Sequence, residues 1–545
     1  MLNEPAVGST FFGRKDVLSI LGKRVNALRG GYRQNVALTG QMLSGKSSIL
    51  YQFLYLLKDT SLVPLYIEVM EEPFSLFADK FIATLLYNYL VSCDRKVDKD
   101  LNALIKESEA LIPHTVYAIK RVKSDLAKRK YSYAYRELLN LTSILNKETG
   151  KSCIVILDEF HNLEFFRIKK PYIHFGKIIM IQKDTMYIVS SSQKSAIKKI
   201  LSEKLALLYG NFEIVEVSGF DWKTSHAFLR EKMQNITLPQ RYADYIIDFA
   251  DKTPFYLDVI SKKILEIANA QKFTYVDEGV MVEAFTSLLH NTSGTINQYF
   301  TNNIMNLLEK RGRKDFLDVL IAMACGANKL KGIAGWLNKK STGGFTGKLV
   351  ELEEFDMVYK NGSFYELQDK VFKFWLRTVY HARRTALVDD MFDKANDFRQ
   401  EIKKDIDGYL FESQKNLIER VKELFSSFNG ETVEIDKRQK KLSRFESVDF
   451  ADPGQCQDLI AKQERTGKLW VSCIAMKKIE EPDVADLIER YRHMRDKIGR
   501  QIYIALGGID ENALLLAKEK SVWVWDPANV NELLKLYKKY NMAYE

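Results

Sequence analysis

From Phe11 to about Phe220, short apolar runs alternate with stretches whose apolar positions recur every three or four residues. The runs NVALT, VPLYIEV, CIVILDE, MYIVSS and FEIVEVSGF are apolar nearly throughout rather than at every second position, as strands buried on both faces are. Separated by amphipathic helices, they predict an α/β fold, a parallel sheet with helices on both sides. One long helical insertion, roughly Phe74 to Glu148, separates the second run from the third. From Trp222 to about Asn297 the period is helical. From Ile304 to about Arg384 it is helical with one hairpin, and from Tyr409 onward a second mixed α/β unit begins. The expected domains are 1–220, 221–300, 301–385 and 386–545, with no internal repeat.

At 545 residues the chain exceeds what one core supports, and 46% hydrophobic with 28% charged residues is the balance of an ordinary soluble protein. A net charge of +10, from 81 basic against 71 acidic residues, permits contact with nucleic acid without requiring it. Cys93, Cys153, Cys325, Cys456 and Cys473 stand singly in apolar segments, which argues for a reducing compartment and against a zinc or disulfide framework. The seven histidines include no pair at metal spacing. The chain opens without a charged and apolar leader pattern, and its longest nearly apolar run, FLDVLIAMACGA, is too short for a bilayer, so a cytoplasmic location without membrane contact is expected.

Candidate chemistry lies between the first run and the helix after it, in GQMLSGKSS. In a phosphate-binding loop, glycines let successive N–H groups face the phosphates, a lysine reaches the outer phosphates and a hydroxyl holds Mg²⁺. Gly40, Gly45, Lys46 and Ser47 fill those places, with Gln41, Met42, Leu43 and Ser44 as the loop and Ser48 just inside the helix, whose N-terminus favours an anion. The third run delivers Asp158 and Glu159 at its C-terminal end, where parallel sheets bind ligands. Asp158 is expected to hold Mg²⁺ through water, and Glu159 to orient and deprotonate the attacking water. The fourth run ends in Ser190, Ser191 and Ser192, any of which could touch the γ-phosphate or the lytic water; Ser191 is the candidate carried forward. ATP and Mg²⁺ are the expected cofactors. His161 reads as a loop residue, and the basic run KRVKSDLAKRKYSYAYRELL as a solvated helix face before a nucleic-acid site.

The segments FFGRKDVLSIL, the phosphate loop, IVILDEF, the serine-ended strand, LLYGNFEIVEV and KTPFYLDVI resemble the archaeal-type ATPase family of the STAND branch of AAA-related NTPases, related to the origin-initiator ATPases, from about Phe11 to Tyr380. The resemblance implies a P-loop core of the ASCE class with a helical lid, Phe12, Gly13 and Arg14 beside the adenine, and Pro254 closing over base or phosphates. The family carries arginine where this chain has Asn211, and glycines where it has Lys252 and Thr253. A missing arginine removes an offset to transition-state charge, so slow hydrolysis is expected.

In 301–385, three helices precede two strands about Asn361-Gly362, the order of a winged helix, and YELQDKVFKFWL resembles the family's closing pattern through Tyr365, Asp369, Phe374 and Trp375. A DNA reading places Lys339, Lys340, Thr346, Lys348 and Lys360 on the target, against repulsion from Glu351, Glu353 and Glu354. The last block resembles PD-(D/E)XK restriction-like nucleases in GYLFESQKNLIERVKELF, with Glu412, and in YIALGGIDENALLLAKEKSVWVWD. On the strand KLWVSCIAMKK, Ser472 and Ile474 stand where such enzymes need a metal-binding acid and a lysine, leaving Asp449 as first acid, so cleavage is not expected. The chain therefore reads as an ATP-controlled molecular switch acting on DNA. The alternatives are a signalling scaffold that uses the same switch to assemble with protein partners, and an ATP-regulated nuclease; a nucleotide-dependent homo-oligomer is a further expected assembly.

Overall fold

The five runs form one parallel sheet: β1 (Asn35–Thr39), β2 (Leu62–Glu68), β3 (Ser152–Asp158), β4 (Thr185–Ser191) and β5 (Phe212–Glu216), in the order β2-β3-β4-β1-β5. β4 lies between the strand that leads into the phosphate loop and the strand that ends in the acidic pair. That is the additional-strand order of an ASCE P-loop core. The computed structural model describes residues 4–96, 98–206, 210–309, 314–339, 343–385, 393–451 and 457–542. It divides into two units, the first comprising Met1–Phe220 with Thr253–Phe255 and Glu354–Asp356, the second Asp221–Lys252, Tyr256–Glu353 and Met357–Glu545.

In the first unit, every residue of β1 is buried. Successive side chains feed two cores, as the period of a strand requires. Val36, Leu38, Ile154, Ile156 and Ile188 join Ile49 and Leu50 of the helix Lys46–Leu56. Ala37, Val155, Leu157 and Val189 join Phe77, Phe81 and Leu85 of the helix Phe74–Val91. The insertion is thus the cover of one sheet face. Its basic run is a helix surface paired within the insertion: Lys120 with Glu109, and Arg121 with Glu137 at 3.6 Å.

The second unit contains the helices Lys314–Ala324, Leu330–Trp336 and Gly343–Glu354, the last ending in the first unit, then β6 (Val358–Asn361) and β7 (Phe364–Leu367). Asn361 pairs with Phe364, so the hairpin loop is Gly362-Ser363, one residue beyond the Asn-Gly pair that marked it. This hairpin packs on β8 (Thr432–Ile435): Ser363 N–H donates to Thr432 O at 2.7 Å, Thr432 N–H donates to Ser363 Oγ at 3.0 Å, and Glu434 N–H donates to Asn361 Oδ1 at 2.6 Å.

β8 and β9 (Arg438–Lys441) form a second hairpin, followed by β10 (Phe445–Phe450), β11 (Gln457–Gln463), β12 (Leu469–Ala475), β13 (Ile498–Ala505) and β14 (Trp523–Trp525) in one sheet of that order. β10 to β12 run antiparallel and β12 to β14 parallel. The helix expected across GYLFESQKNLIERVKELF is two helices, Asp393–Gln414 and Leu417–Ser426, because the Asn416 side chain accepts the Ile418 N–H and caps the second. Buried polar contacts close the unit. Asp248 accepts from Lys370 and from Asn541 Nδ2, and Tyr245 OH donates to Asp405. Among the described residues, no helix is long and apolar enough to cross a membrane.

Gly362 combines φ of +58° with a position where an added Cβ would lie 2.1 Å from Thr432 O, so Gly362→Ala is expected to destabilise the second unit by about 2 kcal/mol or more. Gly332, with open space around it in the helix Leu330–Trp336, is the control: alanine there should stabilise by about 0.5–1 kcal/mol. All six tryptophans lie in the second unit, so urea unfolding followed by tryptophan fluorescence reads that unit alone. A Gly362→Ala midpoint at or above that of the wild type would contradict the docked hairpin.

Candidate functional site

The site begins where β1 runs out. An added Cβ on Gly40 would lie 2.2 Å from Val217 O, so only glycine lets the chain leave the sheet beside the segment after β5. Leu43 at φ +67° and Gly45 at φ +92° then turn the loop into the N-terminus of the helix Lys46–Leu56. Lys46 is 5% exposed, and its Nζ donates to Gly40 O at 3.0 Å and to Gln41 O at 2.7 Å. Burial lowers its pKa, opposed by the charges of Glu159, Asp158 and Asp356. The amine is therefore folded onto the loop that it would serve. The Ser44 side chain is buried within the loop, whereas Gln41 and Met42 are exposed. Ser48 Oγ accepts the Ala6 N–H at 3.1 Å and so ties the loop helix to the N-terminal segment.

Asp158, at the end of β3, is the hub. Its Oδ2 accepts Ser47 Oγ at 2.9 Å and Tyr66 OH at 2.7 Å, and its Oδ1 accepts Glu159 N–H at 3.0 Å and the Ser190 hydroxyl. Tyr66 was not singled out by the sequence, although its place two residues before the end of β2 puts it beside β3. Burial, reinforced by Asp158, pushes the Tyr66 hydroxyl far above its usual range and keeps it a donor.

Glu159 is the first residue beyond β3 and takes φ +53°. Its Oε2 accepts both the N–H and the hydroxyl of Ser192, at 3.0 and 2.9 Å. Burial raises its pKa, and the charge of Asp158 adds to the rise, while the Ser192 and Lys46 interactions oppose it. The three serines are thereby resolved: Ser190 serves Asp158, Ser192 holds Glu159, and Ser191, fully buried, meets His161 Nδ1 at 2.9 Å. His161 is a site residue that its loop context concealed. Its Nδ1 also lies 3.3 Å from Glu159 Oε2, yet burial pushes its pKa down to about 4, so the pair is not an ion pair at neutral pH.

Beside the loop, Gly13 at φ +68° and Arg14 at φ +58° make the turn into the helix Lys15–Arg29. The Arg14 guanidinium donates to Ser44 O and to Ser218 O, and stands 4.8 Å from the centre of the Phe220 ring. Phe12 meets Phe220 edge-on at 6.0 Å. The family resemblance named Phe12, Gly13 and Arg14; the structure sets Phe220, at the end of the fifth run, beside Phe12 and Arg14. Pro254 opens the helix Pro254–Ala270 and clusters with the first unit. Asn211 is exposed in the turn before β5, and Leu208 and Tyr209 lie outside the described residues. Within the same unit, Asp356 accepts the Ser195 N–H at 3.0 Å and the Ser195 hydroxyl at 2.6 Å.

The other candidates lie in the second unit, most of them beside partners of their own. Lys339 and Lys348 both pair with Asp315, which their hydrogen bonds hold below the usual carboxylate range. Thr346 is half-buried in the helix Gly343–Glu354, Lys360 stands 5.4 Å from the Tyr365 ring, and Lys340 lies outside the described residues. In the C-terminal sheet, Ser472 is fully buried, and Ile474 packs with Val421, Phe425 and Trp470. Asp449 is exposed near Lys422, and Glu412 pairs with Lys415 at 2.7 Å. The buried acid of this sheet is Asp458, opposite Cys473, where it accepts from Arg490 and from Tyr491 OH. Among the described residues, no three His, Cys, Asp or Glu side chains are grouped to hold a metal ion.

No protein-family model matches the chain, and no curated protein matches it. Among solved structures it is similar to a Walker-type ATPase of Pyrococcus abyssi, with TM-score 0.48 and 18% identity, covering 69% of this chain and 99% of that one. It is also similar to the ORC2 protein of Aeropyrum pernix in ADPNP–ADP complexes, with TM-score 0.43 and 12% identity over 74% of this chain and 97% of that one. A further similar structure is the ORC1 protein of Aeropyrum pernix in complex with DNA, with TM-score 0.38 and 13% identity over 70% of this chain and 96% of that one.

Proposed function

We propose that the first unit binds ATP with Mg²⁺ and hydrolyses it slowly, and that the nucleotide state switches the second unit between two arrangements, one of which engages DNA. The observation that carries this reading is the pairing of Ser47 Oγ with Asp158 Oδ2 at 2.9 Å beside the buried Lys46 amine. A hydroxyl and a carboxylate are hard oxygen donors and suit Mg²⁺, which would offset phosphate charge when bound. Lys46 would leave the Gly40 and Gln41 carbonyls for the outer phosphates, exchanging neutral partners for anionic ones. Glu159, with a raised pKa, would accept a proton from the attacking water once released from Ser192. Neutral His161 would keep the Ser191 hydroxyl in place. Asn211 supplies no cation, which supports slow turnover.

Two helices give the switch a covalent route: Pro254–Ala270 begins in a segment of the first unit, and Gly343–Glu354 ends in one. We read residues 221–300 as the lid, 301–385 as a winged helix, and 386–545 as a restriction-like domain without cleavage, since Ile474 and its apolar neighbours occupy the place of a cation. The docked hairpin and the paired Lys339 and Lys348 favour a packing role for the winged helix, and with it the second reading, a protein scaffold, if DNA binding fails.

Lys46→Ala should lower affinity for a fluorescent ATP analogue by about 10²-fold or more, with the tryptophan spectrum of the second unit unchanged. Equal affinity would remove the loop from nucleotide binding. Glu159→Gln should keep that affinity while steady-state phosphate release falls about 10²-fold; undiminished release would assign the base elsewhere.

For His161, the folded pKa of about 4 lies below the unfolded 6.5, so the fold favours the neutral ring. Its contribution to stability is complete above pH 6.5 and is lost as pH falls towards 4. Hydrogen exchange of β3 and β4 amides should show this loss in the wild type and less of it in His161→Gln. An identical pH profile in both would show that the ring does not titrate as its burial implies.

A further inference from the structure

In the second unit two cations stand against one tryptophan, with a third on the same hairpin. β8 and β9 are joined by Asp436 and Lys437, both in the left-handed region at φ +54° and +60°, the tight turn that matches strand twist. Arg438 and Lys440 are the cross-strand partners of the buried Ile435 and Val433; Lys440 is half-buried and Arg438, nearer the turn, is exposed. There the Lys440 amine stands 5.0 Å from the centre of the Trp523 ring, and the Arg500 guanidinium, from β13, stands 4.3 Å from the same ring. Trp523 is on β14, the last strand of its sheet, and meets Trp470 edge-on at 5.4 Å.

Neither Lys440 nor Arg500 forms an ion pair among the described residues, whereas Lys329, Lys370, Lys373 and Arg490 of the same unit each hold a carboxylate. Burial lowers the pKa of both, and Arg438 and Arg500 lower that of Lys440 further, with Asp436 the acid that opposes them. Like charges gathered on a shared ring, partly out of water and without a counter-ion, are costly alone and favourable beside an anion. Lys437 and Lys441 extend the same hairpin with two more cations. The regular charge of a phosphate backbone fits such a line, whereas a lone carboxylate would meet one cation of several.

We propose that Lys440 and Arg500 on Trp523, with Arg438 on the same hairpin as Lys440, form a DNA phosphate-backbone site on the second unit, separate from the winged-helix lysines. The site rests on the DNA reading above. It sits away from Asp315, so its cations are not already neutralised.

The test is fluorescence anisotropy of a labelled 30-base-pair duplex titrated with the full chain at several salt concentrations, with and without ATP and Mg²⁺. Wild type should show log affinity falling linearly with log salt. Lys440→Gln with Arg500→Gln should reduce the slope by about 1.8 and weaken binding at 100 mM salt by on the order of tens-fold. Arg500→Lys, which keeps the charge, should retain the wild-type slope, and Lys339→Gln with Lys348→Gln should change it little. Tryptophan fluorescence unfolding confirms that each variant is folded. If the double patch variant binds as the wild type does while the winged-helix variant loses affinity, the patch is overturned and the DNA reading stands. If the wild type binds no duplex in either nucleotide state, both are overturned.

Discussion

The carboxylate of Asp158 is the constraint on which the first unit depends. It is 2% exposed, and a charge so placed is tolerated only when its lone pairs are satisfied. Four donors satisfy it, and they come from the phosphate-loop helix, from β2, from β4 and from its own strand end. Each donor fixes an element, so the strand order β2-β3-β4-β1-β5 and the polar site are one arrangement: β4 must lie beside β3 for Ser190 to reach, and β2 on its other side for Tyr66. A bound cation would compete for the same oxygens. Under the proposed reading, the Ser47 hydroxyl would follow the carboxylate towards that cation.

The core sheet was legible because buried parallel strands leave an uninterrupted apolar signal, and the phosphate loop because glycine geometry and a lysine at fixed spacing have few other uses. The partners of the site were less legible. Tyr66 sits within an apolar run and reads as core, and His161 follows the acidic pair in a short turn. Only the register of β2 on β3, and the close approach of the β4 end, give these two their roles. The serines show the same limit, because three adjacent hydroxyls at a strand end are equivalent in sequence until backbone direction assigns each a different partner.

In the second unit, sequence signals located elements without showing which side chains the fold would pair. The Asn-Gly hairpin is real but offset by one residue, and Asn361 and Ser363 accept the N–H groups of Glu434 and Thr432 on β8. Lysines chosen for a helix facing DNA are held by Asp315, an acid on an earlier helix that linear spacing could not bring near. The single helix expected across GYLFESQKNLIERVKELF is broken by the Asn416 cap, which leaves Glu412 on the helix Asp393–Gln414. Charge patterns in a sequence mark capacity for an anion; the tertiary fold decides which cations remain unspent.

That accounting connects the two units. In the first, Lys46 is buried and bonded only to neutral carbonyls, so an anionic ligand improves on every contact it makes. In the second, Lys440 and Arg500 are partly buried against an aromatic ring with carboxylates elsewhere engaged, and an anion again improves on the existing state. Structural cations in this chain, such as Lys370 on Asp248 and Lys373 on Glu366, are already matched and gain little from a ligand. A partly buried cation without a carboxylate is a state that an anion improves on, and in this respect Lys440 and Arg500 differ from Lys339 and Lys348, which Asp315 already holds.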